Sequence, residues 1–201
     1  LGKLRILLPM ISDTQEIVRA RALMDEVKEE LRARGQAFGE DAELGVMVEV
    51  PSVALMVDRF APHCDFLSLG TNDLTQYVLA VDRGNSKVAS LYDPFHPAVL
   101  QLIKTVANAG VSHAKPVNIC GEMAGDPLAT VLLIGLGLNR LSLSPGLIPE
   151  VKEIIRSTDS AQARRVADSC LRMETGREVK AYLEEVAGES LPYWMRSEQR
   201  E

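Results

Sequence analysis

Two segments of the chain are apolar along their whole length and then stop abruptly on polar residues. Residues 44–48 are apolar or Gly and are followed by Glu49, and residues 66–69, apolar except for Ser68, are followed by Gly70-Thr-Asn-Asp73. Strands that are apolar at every position suit a parallel sheet covered on both faces. In such folds, polar groups just beyond the carboxyl ends of the strands form the active site. The sequence therefore predicts an α/β fold with its functional groups at one edge of the sheet.

The rest of the chain continues this alternation of strands and helices. The apolar pattern predicts strands at residues 4–8, 44–49, 65–69, 117–120 and 140–143. It predicts helices from the cap at Ser12 or Asp13 to Gly35 and at residues 51–60, 72–81, 97–109, 127–135, 147–157, 160–171 and 175–187, with frayed last residues. Strands that alternate with helices form a parallel sheet. Five βα units are too few for an eight-stranded barrel, but they would form the last five-eighths of one.

Length and composition narrow the class of protein. The chain has 201 residues, whereas (β/α)₈ barrels usually need about 250, so we expect one large domain or part of a barrel. A net charge of -6 argues against a nucleic-acid or acidic-membrane partner, and no apolar run approaches the roughly 20 residues of a membrane helix. Three cysteines, far apart and odd in number, fit neither a disulfide framework nor a zinc motif, which favours a cytoplasmic protein. Because the first residue is Leu1 and a strand follows almost at once, we expect a piece of a longer protein.

Glu49 and Asp73 follow consecutive strands of the predicted sheet. Either acid alone has an ordinary explanation, because Glu49 could cap the helix that begins at Pro51 and Asp73 could stabilise the first turn of its helix. Together they form the kind of carboxylate pair that holds Mg²⁺, with substrate oxygens and water completing the coordination. The pair therefore predicts metal-assisted chemistry on a small phosphorylated or carboxylated substrate.

Three further side chains are candidates for the same edge. Asn72 has donor and acceptor groups for a phosphate and the metal shell, although it could simply cap a helix. The planar guanidinium of Arg83 could hold phosphate or carboxylate, although most loop arginines are only solvated. The Cys120 thiol follows an apolar strand and could transfer a proton or attack as a nucleophile, although most cysteines at strand ends are simply buried. Glu122 could orient that thiol or bind the waters of the metal. The remaining cysteines and histidines lack such a setting. Cys64 and Cys170 are expected to be core or helix residues, and His63, His96 and His113 are expected to be structural or exposed.

The motifs that carry these residues resemble those of one enzyme family. They are Gly45-Val-Met-Val-Glu-Val-Pro51, Gly70-Thr-Asn-Asp-Leu-Thr-Gln-Tyr77, Leu79-Ala-Val-Asp-Arg-Gly-Asn85 and Cys120-Gly-Glu-Met-Ala-Gly-Asp126. The sequence resembles the Enzyme I family, the phosphoenolpyruvate-protein phosphotransferases of the bacterial phosphotransferase system, over residues 4–185. The residues after Glu49 and around Glu122 are more similar to those of the nitrogen-related branch than to those of the sugar-transport branch.

The resemblance implies a fold and a set of roles. It implies a (β/α)₈ barrel that binds phosphoenolpyruvate and Mg²⁺ and passes the phosphoryl group to a histidine on a separate domain, which then phosphorylates a histidine-containing phosphocarrier protein. Glu49 and Asp73 would be the Mg²⁺ ligands, and Asn72 and Arg83, beside Asp73, would hold the substrate. Cys120 would be the catalytic acid that protonates the enolate as pyruvate forms. The family is also expected to form homodimers.

Compared with the family pattern, the sequence lacks two parts of the protein. Residues 1–201 correspond to the C-terminal portion of the phosphoenolpyruvate-binding barrel, and the phosphohistidine domain and the first barrel strands are absent, so we expect no activity from the chain alone. Other readings remain open. They are a barrel of the pyruvate phosphate dikinase or phosphoenolpyruvate synthase type, a metal-dependent aldolase or lyase barrel, and a non-catalytic dimerisation module.

Overall fold

A parallel sheet forms the frame of the computed structural model, which describes the backbone of residues 3–190 and the side chains up to residue 188. Its strands lie side by side in chain order and all pair in parallel. The register aligns Leu8 with Val46, Val48 with Leu69, and Gly70 with Cys120, so the carboxyl ends of all the strands meet at one edge. The strands are β1 (Arg5–Leu8), β2 (Glu43–Val48), β3 (Phe66–Gly70) and β4 (Val117–Cys120).

The central strands are buried on both faces, as their unbroken apolar sequence predicts. Leu44, Val46 and Val48 of β2 are inaccessible or nearly so, and so are Leu67 and Leu69 of β3. Alternate residues of a strand point to opposite faces, so these residues lie on one face, and Phe66 and Ser68, at 3% and 4% relative exposure, are buried on the other face of β3. The α/β class with a parallel sheet is confirmed.

Helices follow each strand and cover the sheet. The α5 and α6 helices bury most of their apolar residues in the core, whereas α1 buries only Ile17 completely. No helix of the described chain is long and apolar enough to cross a membrane. The helices are α1 (Thr14–Ala33), α2 (Pro51–Leu55), α3 (Val57–Phe60), α4 (Thr71–Leu79), α5 (Pro97–Ser112), α6 (Pro127–Gly135), α7 (Ile148–Ser157), α8 (Ser160–Cys170) and α9 (Gly176–Ser190).

Several predicted boundaries are wrong by a few residues. The single helix predicted at residues 51–60 is two short helices, because the backbone leaves helical geometry at Met56. The helix predicted to reach residue 81 ends at Leu79, because Ala80 adopts the left-handed conformation (φ 51°) that commonly closes helices. The prediction of frayed last residues lies outside the described part of the chain.

The predicted fifth strand at residues 140–143 is reduced to a single bridge. Leu141 pairs in parallel with Ile119, whose N–H donates to the Arg140 carbonyl at 3.0 Å and whose carbonyl accepts from the Ser142 N–H at 2.9 Å. The pairing stops there because β4 turns away at Gly121, where φ is +100°, so the following residues have no strand to pair with. The segment nevertheless occupies the predicted place beside β4, so a fifth βα unit extends the sheet in the predicted order.

Candidate functional site

Glu49 lies at the end of β2 and points into the edge where the strands meet. Its side chain is almost fully buried, with a relative exposure of 3% for the residue, and Oε1 accepts a hydrogen bond from the Met10 backbone N–H at 2.7 Å. Gly70, at the end of the neighbouring strand, provides the room, because a Cβ there would lie 2.9 Å from Oε2 of Glu49. The carboxylate is therefore held by the segment that follows β1 and is closely approached by the last residue of β3.

Asp73 brings a second carboxylate against Glu49. It lies in the first turn of α4, where its Oδ1 accepts a hydrogen bond from Nε2 of Gln76 at 3.0 Å. Burial raises the pKa of Glu49 above its ordinary value, and the negative charge of Asp73 and a hydrogen bond with it raise it further. The Met10 N–H acts in the opposite direction but does not cancel these effects. The two carboxyl groups are thus crowded together, and this arrangement favours a shared proton or a cation between them.

The donor set of this pair fits Mg²⁺. Within residues 3–188, no lysine, arginine or histidine forms an ion pair with either carboxylate. The same part of the chain also contains no group of three or more His, Cys, Asp or Glu side chains placed to hold a metal. Mg²⁺ needs no such cage, because it is usually bound by one or two carboxylates together with water and substrate phosphate oxygens.

An anion-binding group lies beside the carboxylate pair. Nη1 of Arg83 is 3.1 Å from Oε1 of Glu122, and Nδ2 of Asn72 is 3.5 Å from the same oxygen. The backbone N–H of Glu122 donates to Oδ1 of Asn72 at 3.1 Å, which orients the Asn72 amide so that its NH₂ group faces the Glu122 carboxylate. The two predicted substrate-binding side chains therefore converge, even though they lie eleven positions apart in sequence.

The turn after β4 holds these groups in place. Oγ1 of Thr71 donates to the Cys120 carbonyl at 2.9 Å, which ties the start of α4 to the end of β4. Gly121 follows with φ +100° and ψ 176°, and a Cβ on it would lie 2.4 Å from Oγ1 of Thr71 and 3.0 Å from Oδ1 of Asn72. Only glycine adopts this backbone conformation readily and leaves space for both side chains.

Cys120 is partly exposed at the same edge. Its Sγ lies 3.2 Å from the Leu69 carbonyl oxygen, to which the thiol donates, and 3.7 Å from Oγ of Ser68, which donates to the sulfur. The other two cysteines are buried, and burial raises the pKa of Cys64 and of Cys170 to about 11. This contrast agrees with the expectation that Cys64 and Cys170 are core residues.

Comparison with known proteins identifies the family. Residues 1–160 match the family described as phosphoenolpyruvate-utilising enzyme, phosphoenolpyruvate-binding domain. The chain belongs to this family. The resemblance inferred from the four sequence motifs is thereby confirmed.

The domain is similar to part of several longer proteins, which are all named phosphoenolpyruvate-protein phosphotransferase. A phosphoenolpyruvate-protein phosphotransferase of Haemophilus influenzae is 45% identical over 184 residues, covering 92% of this chain and 32% of the relative. Those of Haloferax volcanii and Bacillus subtilis are 46% and 44% identical, covering 90% and 92% of this chain and 32% of each relative. The chain therefore spans about a third of the length of these relatives.

Solved structures support the fold of this domain. A citrate lyase from Burkholderia xenovorans superimposes with a TM-score of 0.55 at 14% identity, covering 92% of this chain and 63% of the other. RipC from Yersinia pestis gives a TM-score of 0.50 at 13% identity, covering 79% of this chain and 66% of the other. At such low identity the likeness shows the fold alone, an α/β architecture related to the TIM barrel.

The sequence did not single out some residues that complete the site of this domain. Gln76 links two predicted residues, because its Nε2 donates to Asp73 and its Oε1 accepts from the Arg83 backbone N–H at 2.9 Å. Tyr92 lies close by, and burial raises the pKa of its hydroxyl. Gln76 stands four positions from Asn72, one helical turn further on, and this spacing was the available signal.

Two of the three histidines of the domain have structural partners, and the third, His63, is exposed. Nδ1 of His96 accepts from the Ala98 N–H at 3.2 Å and so caps α5, and Nε2 of His113 lies 2.9 Å from Asp58 on the surface. These contacts agree with the expectation that the histidines are structural or exposed.

Proposed function

We propose that this chain is the phosphoenolpyruvate- and Mg²⁺-binding part of a phosphoenolpyruvate-protein phosphotransferase. Residues 1–201 would form the C-terminal five βα units of its (β/α)₈ barrel, and the phosphohistidine domain and the first strands would lie elsewhere in the longer protein. The observation that carries the proposal is the meeting, at one edge of the sheet, of the Glu49–Asp73 carboxylate pair with a group that already holds an anion.

Glu49 and Asp73 would hold the Mg²⁺ ion, and Asn72 and Arg83 would hold the phosphate of the substrate. When bound, the ion supplies positive charge that neutralises the phosphoryl oxygens. Arg83 offers a planar pair of N–H donors, and Asn72 offers the NH₂ group that its bond from the Glu122 backbone orients. These side chains would stabilise charge as the phosphoryl group leaves, which is the main requirement of phosphoryl transfer.

Cys120 would supply the proton that completes pyruvate. The bond between phosphorus and the enol oxygen breaks, a nitrogen of the acceptor histidine takes the phosphoryl group, and the enolate carbon takes the thiol proton. The thiolate that remains would accept the hydrogen bond from Ser68. The thiol donates to the Leu69 carbonyl, so it must rotate toward the substrate before it can act.

The acceptor histidine and the later partner would lie outside this chain. His96 and His113 have structural contacts, and His63 lies before the amino end of β3, opposite the candidate site, so a histidine of another domain would carry the phosphoryl group to a histidine-containing phosphocarrier protein. A role in sugar transport or in its nitrogen-related counterpart, a cytoplasmic location and a homodimer complete the proposal. No observation favours a dikinase-type enzyme, a lyase or a purely structural dimerisation module over this function.

Phosphoenolpyruvate-dependent phosphorylation of a small histidine carrier protein by the full-length enzyme tests the proposal. We expect the Cys120→Ala variant to bind phosphoenolpyruvate as the wild type does, because the thiol is neither a phosphate nor a metal ligand. Its turnover should fall by ~10²-fold or more, the usual effect of losing a positioned general acid. Cys64→Ala is the matched control and should keep its turnover. Unchanged turnover in Cys120→Ala would make Cys120 a core cysteine like Cys64.

A further inference from the structure

The carboxylate of Glu122 occupies the place that the proposed function gives to a substrate phosphate. Arg83 and Asn72 both approach one oxygen, Oε1, at 3.1 and 3.5 Å. Glu122 directly follows the strained Gly121 turn, which brings it to this position across 39 residues from Arg83 and 50 from Asn72. The contact therefore depends on the fold and does not follow from sequence proximity.

We propose that Glu122 is an internal anion that competes with the phosphate of a phosphorylated ligand for Arg83 and Asn72 and must leave before that ligand binds. This inference rests on the proposed function, because it takes Asn72 and Arg83 as the phosphate-binding side chains. Glu122 thereby sets how tightly the site binds anionic ligands.

The pair has the properties of a contact that opens readily. The side chain of Glu122 is 78% exposed and that of Arg83 is 43% exposed, and exposed ion pairs are weak. The hydrogen bond from the Glu122 backbone to Asn72 does not involve the carboxylate. Asn72 therefore keeps its orientation, and its NH₂ group stays available, when the carboxylate swings out toward solvent.

Competition with Glu122 would select the ligand by its charge. A phosphate dianion offers more negative charge and more oxygens than a carboxylate, so it gains by replacing Glu122. A monoanionic carboxylate such as pyruvate offers Arg83 nothing that Glu122 does not already provide. The internal anion would thus weaken the binding of both ligands and leave pyruvate with little net gain at Arg83.

Titration calorimetry of the full-length protein with phosphoenolpyruvate and Mg²⁺, and separately with pyruvate, tests this role. An exposed ion pair shifts an equilibrium by a factor of up to about five. Because Glu122→Gln keeps the size of the side chain and removes its charge, it should lower the Kd of phosphoenolpyruvate about threefold or more. It should also lower the Kd of pyruvate. Glu153→Gln makes the same charge change on the exposed surface of α7 and should leave both values unchanged.

A second variant separates occupancy of the site from general repulsion. Glu122→Asp keeps the charge but shortens the side chain by one methylene, so it should bind phosphoenolpyruvate more tightly than the wild type. Affinity equal to the wild type in both Glu122 variants would overturn the internal anion while leaving the proposed function intact, provided that Arg83→Gln weakens binding. If neither the wild type nor Glu122→Gln bound phosphoenolpyruvate, the proposed function itself would have failed.

Discussion

At the scale of single residues, Glu49 combines burial with a like-charged neighbour. Both effects raise its pKa, and the Met10 N–H only partly opposes them. A carboxyl group with a raised pKa in the folded state binds protons there more tightly than in the unfolded chain. Between its unfolded value, near 4.5, and the raised folded value, the stability of the metal-free protein therefore falls as pH rises.

The Glu49→Gln variant isolates this effect. The amide oxygen can still accept the Met10 N–H, but there is no longer a charge to bury beside Asp73. We expect the free energy of unfolding to decrease less with rising pH above about 4.5 than in the wild type, so that Glu49→Gln is the more stable protein at neutral pH. Urea denaturation across this pH range measures it, with the exposed Glu153→Gln as control. Parallel pH profiles for the wild type and Glu49→Gln would show that Glu49 is not strained by its surroundings.

The positions of some site residues could be predicted from the sequence, and the contacts of others could not. Glu49 and Asp73 could be predicted together because each follows an apolar strand, and the parallel sheet brings consecutive strand ends to one edge. The contacts of Arg83 and Asn72 with Glu122 could not be predicted, because they depend on how the α4 helix and the turn after β4 face each other. Ser68 was visible only as a polar residue in an apolar strand, and its bond to Cys120 appears only when β3 and β4 are paired.

At the scale of elements, the strands were predicted better than their ends. The apolar runs of β2 and β3 fix both strands because burial on two faces demands them. The strand at residues 140–143 is shorter than predicted, because its partner β4 bends at Gly121. No periodic pattern in the sequence predicts that bend. Met56 divides a predicted helix for a similar local reason.

The Gly121 turn is the element on which the anion-binding group depends. We expect Gly121→Ala to lower the free energy of unfolding by about 1–3 kcal/mol, because its backbone conformation is strained for any residue with a Cβ. The new methyl would also press on Thr71 and Asn72 and so weaken phosphoenolpyruvate binding. Denaturation measures the free energy of unfolding, and calorimetry on the same sample measures the affinity for phosphoenolpyruvate. Gly146→Ala is the matched control, since a Cβ there meets nothing within 4 Å. Equal losses in the two variants would contradict this role of the turn.

At the scale of the whole molecule, the described sheet has two free edges. They are formed by β1 and by the segment at Leu141, and exposed strand edges invite pairing with another chain. Exposed apolar side chains add to this tendency, among them Leu23, which is 60% exposed on α1, and Val27 one turn further on.

We therefore expect the 201-residue chain to form a dimer or a larger assembly. Sedimentation velocity over a range of concentrations measures it, and Leu23→Lys should weaken the association if the α1 face takes part. Val111→Lys, on α5, replaces a single apolar residue that is 82% exposed, and serves as control. A single monomeric species at the highest concentration would rule out the expectation.

The central claim is that Glu49 and Asp73 bind phosphoenolpyruvate through a shared Mg²⁺ ion. Titration calorimetry of phosphoenolpyruvate with and without Mg²⁺, on the wild type and on Asp73→Asn, tests it most directly. We predict Mg²⁺-dependent binding by the wild type, and at least about a tenfold loss in Asp73→Asn together with loss of the Mg²⁺ dependence, because the ion joins protein and phosphate oxygens. Glu153→Gln should behave as the wild type. Binding that is equally strong without Mg²⁺, or that survives in Asp73→Asn, would contradict the account.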